Sequence, residues 1–172
     1  MGDISVFSAD HPGEWYVLHT KSRQEKALAS DLERLGVDAF LPLATQTRYY
    51  GKRKLTVEEA LFPGYVFLRG SLDQAYSADR TRRVANVIRV ADQNEINAEL
   101  KSLSVALTLR VPLDPYPYLK NGVKVRVKAG PMQGMQGVVE RRGEWNRLIL
   151  QVNILGQAAS LEIDGSLLEP VD

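Results

Sequence analysis

The apolar positions change period along the chain, and the changes mark out elements. Trp15–Thr20 (WYVLHT) is a β-rich run that predicts a first strand. Leu28, Leu32 and Leu35 then fall on one helical face, and Gly36 follows as a natural terminator. Ser22 and Glu25, just ahead of that face, have the spacing of a capping box. A second strand is expected over 39–50, a hairpin tip at Tyr50–Lys54 (YGKRK), and a third strand at Leu61–Arg69 (LFPGYVFLR). A short helix near 72–80 and a fourth strand at Val84–Val90 follow. Ile96, Leu100, Leu103 and Leu107 lay one apolar stripe on a helix over 94–110. The order β-α-β-β-α-β-α predicts an α+β domain with a ferredoxin-like antiparallel sheet and helices packed on it.

The pattern breaks at Arg110–Gly122, where Pro112, Pro115 and Pro117 remove amide donors and favour extended backbone. Beyond it the helical period is gone. Val123–Lys128 alternates valine with cation, and short strands follow at GVVER, WNRLILQVN and AASLEI, which predicts a small barrel. The expected organisation is a disordered tail over 1–14, a first domain over 15–111, a linker over 112–121 and the barrel over 122–172. Gly130, Gly134 and Gly137 precede a strand, not a helix, so they are read as structural turns in the barrel and not as a phosphate cradle.

Composition narrows the picture. The chain has 172 residues, 44% of them apolar, enough for packed cores, and no apolar run of the roughly 20 residues needed to span a bilayer. It has no cysteine, which excludes disulfides and thiolate metal sites. No secretory signal is read at the N-terminus, so a cytoplasmic monomer with no membrane partner is expected. Net charge is +1, with 15 Lys/Arg against 14 Asp/Glu up to Pro112 and 7 against 7 beyond it. Neither half is a strongly basic body, so any contact with nucleic acid has to run through local stripes.

Candidate chemistry is sparse. His11 and His19 lack metal-ligand spacing, and Glu58 and Glu59 point to opposite faces of a strand. Ser160 and Ser166 have no base nearby in sequence. No catalytic constellation, metal or cofactor is expected.

Trp15-Tyr16-Val17, Glu25-Lys26, Pro42 and above all Leu61-Phe62-Pro63-Gly64-Tyr65-Val66-Phe67 resemble the N-terminal domain of the NusG family of transcription elongation factors. Val125-Arg126-Val127, Gly130-Pro131, Gly134, Gly137-Val138-Val139 and Ile154-Leu155-Gly156-Gln157 resemble its KOW domain, which implies an SH3-like, five-stranded barrel. The basic Gly51-Lys52-Arg53 turn before LFPGY resembles the specialised RfaH-type members; His19 stands where those have a tyrosine, and Val87 where their fourth strand has an aromatic.

Tyr65 and Phe67 share one face of a strand, with His19 as a neighbour, and fit either an exposed interface or an ordinary core. The resemblance implies the interface: Tyr65, Phe67, His19, Val87 and Phe62 would bind the clamp helices of bacterial RNA polymerase and favour its closed, elongating state. Lys21, Arg23, Arg48, Lys52 and Arg53, interleaved with Tyr49 and Tyr50, suit a single-stranded backbone or a solvated hairpin tip. The resemblance implies that they, with Arg82, meet the non-template DNA strand. In the barrel, Met132, Met135, Trp145 and Ile154 form an interaction surface or fill the core. The family implies a small-subunit ribosomal protein or Rho as the barrel's partner. The competing reading is a KOW-bearing RNA- or ribosome-binding protein without polymerase.

Overall fold

The computed structural model describes residues 4–171. Two compact units are present, Met1–Ala98 and Glu99–Asp172. The first contains β1 (Glu14–Thr20), α1 (Glu25–Arg34), β2 (Asp38–Phe40), β3 (Leu43–Tyr50), β4 (Arg53–Ala60), β5 (Tyr65–Gly70), α2 (Leu72–Asp79), β6 (Val84–Arg89) and the start of α3 (Gln93–Thr108). Four strands form an antiparallel sheet in the order β2-β5-β1-β6, while β3 and β4 pair as a separate two-stranded hairpin. This is the expected α+β architecture with an antiparallel central sheet.

One face of that sheet packs on α1 and α2. Tyr16 and Leu18 of β1 and Val66 and Leu68 of β5 join Leu28 and Leu32 of α1 and Ala75 and Ala78 of α2 in one buried cluster. The alternation of β1 and the helical spacing of α1 produce this face directly.

Several local expectations are corrected. Ser22 and Glu25 make no capping box: α1 begins after Gln24 with no side-chain cap. The reciprocal cap belongs to α2, where Ser71 Oγ accepts from Gln74 N–H and Gln74 Oε1 accepts from Ser71 N–H. Leu35 is 56% exposed because α1 ends at Arg34, so it lies beyond the helical face. The second strand is split at Leu41-Pro42, and the hairpin returns through β4; Leu61–Gly64 is a turn, with Gly64 at φ +90°.

The N-terminal segment is ordered where it is described; residues 1–3 of the expected tail lie outside the described residues. Ile4–Phe7 forms a 3-10 turn, and Val6 and Phe7 are buried. Arg69 fixes this segment by donating to the carbonyls of Val6 (2.7 Å), Ser8 (3.1 Å) and Gly13 (3.0 Å). His11 adds a 2.8 Å contact to Asp38 Oδ2.

The second unit contains β7 (Asp114–Tyr116), β8 (Val123–Val127), β9 (Gln136–Val139), β10 (Arg147–Val152), β11 (Gln157–Glu162) and β12 (Leu168–Pro170), in the sheet order β12-β8-β9-β10-β11-β7. The five strands of the expected barrel are β8 to β12; β7 is an added edge strand inside the expected linker. Val125, Val127, Val139, Leu148, Leu150, Val152 and Leu161 form buried positions of this unit. Gly130 and Gly134 have φ near +90°, and a Cβ on Gly137 would lie 2.7 Å from the Ile149 carbonyl. The glycine loop is a barrel turn.

Candidate functional site

The second face of the central sheet carries the residues of interest, and register places them in rows. Asp38, Arg69 and Trp15 stand across neighbouring strands in one row. Phe40, Phe67, Val17 and Ile88 form the next. Tyr65, His19 and Asn86 form the third.

These rows differ sharply in environment. The first is closed by the N-terminal segment and the start of α3. Trp15 Nε1 donates to Asn97 Oδ1 at 2.9 Å, Asn97 Nδ2 donates to the Phe7 carbonyl at 3.0 Å, and the Phe7 ring stacks on Trp15 at 5.8 Å. Arg69 sits over the Trp15 ring at 5.7 Å, and burial lowers its pKa from the ordinary guanidinium value. In the second row Phe67, Val17 and Phe40 are buried, and Phe40 contacts both Phe7 and Phe67. The third row opens to solvent. His19 and Asn86 are exposed and Tyr65 is half-buried, with the His19 and Tyr65 rings stacked at 5.1 Å and 24°.

The expected aromatic patch is therefore corrected. Phe67 is 0% exposed and Phe62 2%, so neither ring is presented to a partner. The apolar run Val66-Phe67-Leu68 is the signal that shows why: such a run suits a strand covered on both faces. Val87 lies opposite Leu18 and packs against the α1–α2 cluster, on the other face from Tyr65. A bulge between His19 and Thr20 shifts the β1–β6 register, so Val84 and Val87 share the helix face despite their odd spacing. The β6 residues beside the aromatic rows are Asn86 and Ile88, both missed by reading the sequence, because register between distant strands is not written in either strand.

The cations divide into two groups. The Lys21 N–H donates to the Arg83 carbonyl at 2.8 Å, joining the turn before α1 to the turn before β6. Arg23 and Arg82 occupy these turns with φ of 60° and 65°, and Lys21, Arg23, Arg80 and Arg82 are exposed there. Arg83 is turned inward, donating to Asp31 Oδ2 at 2.7 Å and to Gln24 Oε1 at 2.5 Å. The hydrogen bond from Arg83, with the charges of Arg83 and Arg34, outweighs desolvation and lowers the Asp31 pKa.

On the hairpin, the pairing Tyr50↔Arg53 and Arg48↔Leu55 puts those four residues on one face, and Tyr49↔Lys54 on the other. Lys52 is at the tip, and Tyr49 is 71% exposed. Arg48 is paired with Glu59.

In the barrel unit, Met132 lies in the turn between β8 and β9, Trp145 in the loop before β10, and Ile154 in a 3-10 turn after β10. Ile154 is exposed and Met132 and Trp145 are half-buried, whereas Met135 is buried. Met135 is corrected to a core position: its carbonyl accepts from Val127 N–H at 2.8 Å, which holds it inside the β8–β9 turn. Among the described residues no group of three or more His, Asp or Glu is placed to hold a metal ion, and no helix is long and apolar enough to cross a membrane.

Comparison with known proteins adds a second line. A family model described as transcription termination factor NusG matches residues 13–108. The transcription termination/antitermination protein NusG of Helicobacter pylori (strain J99 / ATCC 700824) is 26% identical over 174 residues, covering 92% of this chain and 98% of that protein. The protein of the same name from Deinococcus radiodurans is 29% identical over 187 residues, covering 89% and 96%. A solved structure described as "Domain interaction in Thermotoga maritima NusG" aligns with a TM-score of 0.49 and 21% identity, covering 93% of this chain and 98% of that one.

Proposed function

The chain belongs to the NusG family of transcription factors, and on that premise we propose that it rides on RNA polymerase as an elongation and antitermination factor. The docking surface is the open third row of the sheet, where Tyr65 and His19 stack beside Asn86, with Ile88 at its border. The observation that carries this reading is the stacked ring pair at the exposed end of an otherwise buried apolar face, the arrangement that protein interfaces favour. Docking there favours the closed, elongating polymerase by binding it more tightly than the paused form.

The turns holding Lys21, Arg23 and Arg82, and the hairpin tip with Lys52 and Arg53, face the non-template DNA strand. The basic tip is the part of this reading specific to an RfaH-type member. The barrel, through Met132, Trp145 and Ile154, recruits a ribosomal small-subunit protein or Rho and raises its local concentration at the polymerase.

The test is capture of core RNA polymerase by the full chain and by a His19→Ala/Tyr65→Ala variant. Affinity is expected to fall about tenfold or more with the far-UV spectrum unchanged. Equal capture by both proteins overturns the assignment. Binding of bare RNA without polymerase capture by the wild type supports the RNA-binding alternative instead.

A further inference from the structure

Residues 113–119 read as a linker, yet in this chain they lie along the barrel. β7 pairs with β11 through Tyr116↔Ala158, Pro115↔Ala159 and Asp114↔Ser160, and Leu113 ahead of it is buried. Three side-chain bonds extend the contact. The Tyr116 hydroxyl donates to Glu140 Oε2 at 2.7 Å, the Tyr118 hydroxyl to Asn153 Oδ1 at 2.8 Å, and Leu119 N–H to Gln151 Oε1 at 2.7 Å.

We propose that residues 113–119 are a releasable strap, a self-supplied edge strand that covers β11 when closed and becomes tether when open. The sequence gives the strap the properties of a weak strand. It has three paired residues, one a proline without an amide donor, and Pro112 and Pro117 on either side stop the pairing from spreading. It is the last strand in the sheet order, so its departure breaks no strand beyond it. Asp114, Pro115 and Pro117 are exposed, and the Tyr116 and Tyr118 bonds lie at the surface, where water replaces a lost partner readily.

Release has two coupled consequences. The chain free to extend grows from the short stretch after α3 to the whole span up to β8, which lengthens the reach of the barrel. At the same moment the outer edge of β11 loses its partner, leaving backbone donors and acceptors bare for another strand. The strap therefore links tether length to edge exposure.

Amide hydrogen exchange of the full chain, read by mass spectrometry, tests this. In the wild type, residues 113–119 should exchange roughly tenfold or more faster than β10, on the scale of local opening and not of global unfolding. Tyr116→Phe combined with Tyr118→Phe should accelerate exchange in 113–119 and 157–162 together, leaving 123–127 unchanged. Wild-type exchange in 113–119 as slow as in β10 overturns the proposal, because the segment is then a permanent barrel strand. Acceleration of only one of the two regions, or of neither, also overturns it. Should the double variant fail to fold, Gln151→Ala, which removes the acceptor of Leu119 N–H, is read by the same criteria.

Discussion

Arg69 lies over Trp15 with its guanidinium 5.7 Å from the ring centroid, and from there it bonds three carbonyls of the N-terminal segment. Its partners are neutral backbone oxygens and the Asn97 side chain at 3.2 Å. Arg69→Met keeps the bulk over Trp15 but leaves those carbonyls without their donor. The expected loss is about 2–4 kcal/mol in urea unfolding followed by tryptophan fluorescence. Proteolytic cleavage within residues 5–13 should rise in parallel. An unchanged midpoint contradicts the role given to Arg69.

Phe67→Ala and Tyr65→Ala should separate stability from docking. Phe67 is fully buried beside Phe40, and its truncation is expected to cost about 3–5 kcal/mol. Tyr65 is half-buried at the open end of the same face, and its truncation should cost less than half as much while weakening polymerase capture. Similar unfolding midpoints for the two variants would show that the rows are not graded as described.

Asp31 should govern part of the acid limb of stability. Its folded pKa lies below the ordinary value, chiefly through the hydrogen bond from Arg83. The stabilisation is therefore complete above the unfolded value, about pH 4, and is lost as pH falls through the folded one. In urea titrations from pH 7 to pH 2.5, the gap between wild type and Asp31→Asn should be constant above about pH 5 and close towards the acid end. A gap that widens on acidification has the wrong sign.

The barrel glycines should respond for different reasons. At Gly137 a Cβ meets the Ile149 carbonyl at 2.7 Å and Leu148 Cδ1 at 2.8 Å, so Gly137→Ala is expected to cost about 1–3 kcal/mol by forcing β9 from β10. At Gly130 nothing lies within 4 Å, and only the φ of +89° resists a side chain. Gly130→Ala should cost about 1–2 kcal/mol, and Gly130→Asn less, because asparagine tolerates that conformation. Equal recovery by asparagine at both positions would refute the distinction.

Lys52→Gln with Arg53→Gln should flatten the salt dependence of DNA crosslinking in elongation complexes. Two lost contacts to a single strand reduce the log–log slope by about 1.4. Arg48→Gln should change it less, since Arg48 is paired with Glu59. An identical slope in the double variant removes the hairpin tip from the DNA contact.

Much of the fold is legible along the chain because its cues are local. The stripe Ile96-Leu100-Leu103 spaces a helix and the alternation of Val123–Val127 makes a strand, whereas the capping box expected at Ser22 and Glu25 lies instead at Ser71 and Gln74. What escaped depends on partners far away in sequence. Arg69 orders residues more than 50 positions earlier, so the N-terminal segment looks like a loose tail until β5 is in place. The face occupied by Val87 is decided by its register opposite Leu18, and that of Val84 by the bulge between His19 and Thr20. The burial of Phe67 requires both sides of the sheet to be covered, which period alone does not reveal. The candidate site was half legible: adjacency of His19 and Tyr65 followed from their strands, while Asn86 and Ile88 needed the register.

The hairpin of β3 and β4 hydrogen-bonds strand to strand within itself; Leu61 N–H closes its base by donating to the Pro42 carbonyl at 2.9 Å, and Leu43 and Ala60 pack that base against the α1–α2 cluster. From Thr47 to Thr56 every side chain stands in solvent. Substitutions along this limb are thus nearly invisible to the folding equilibrium, and selection can rewrite what it touches while the body that carries it stays the same. Diversification of such factors has a ready place to begin: an outlying arm whose chemistry is free to drift because its far half is turned to solvent and away from the core.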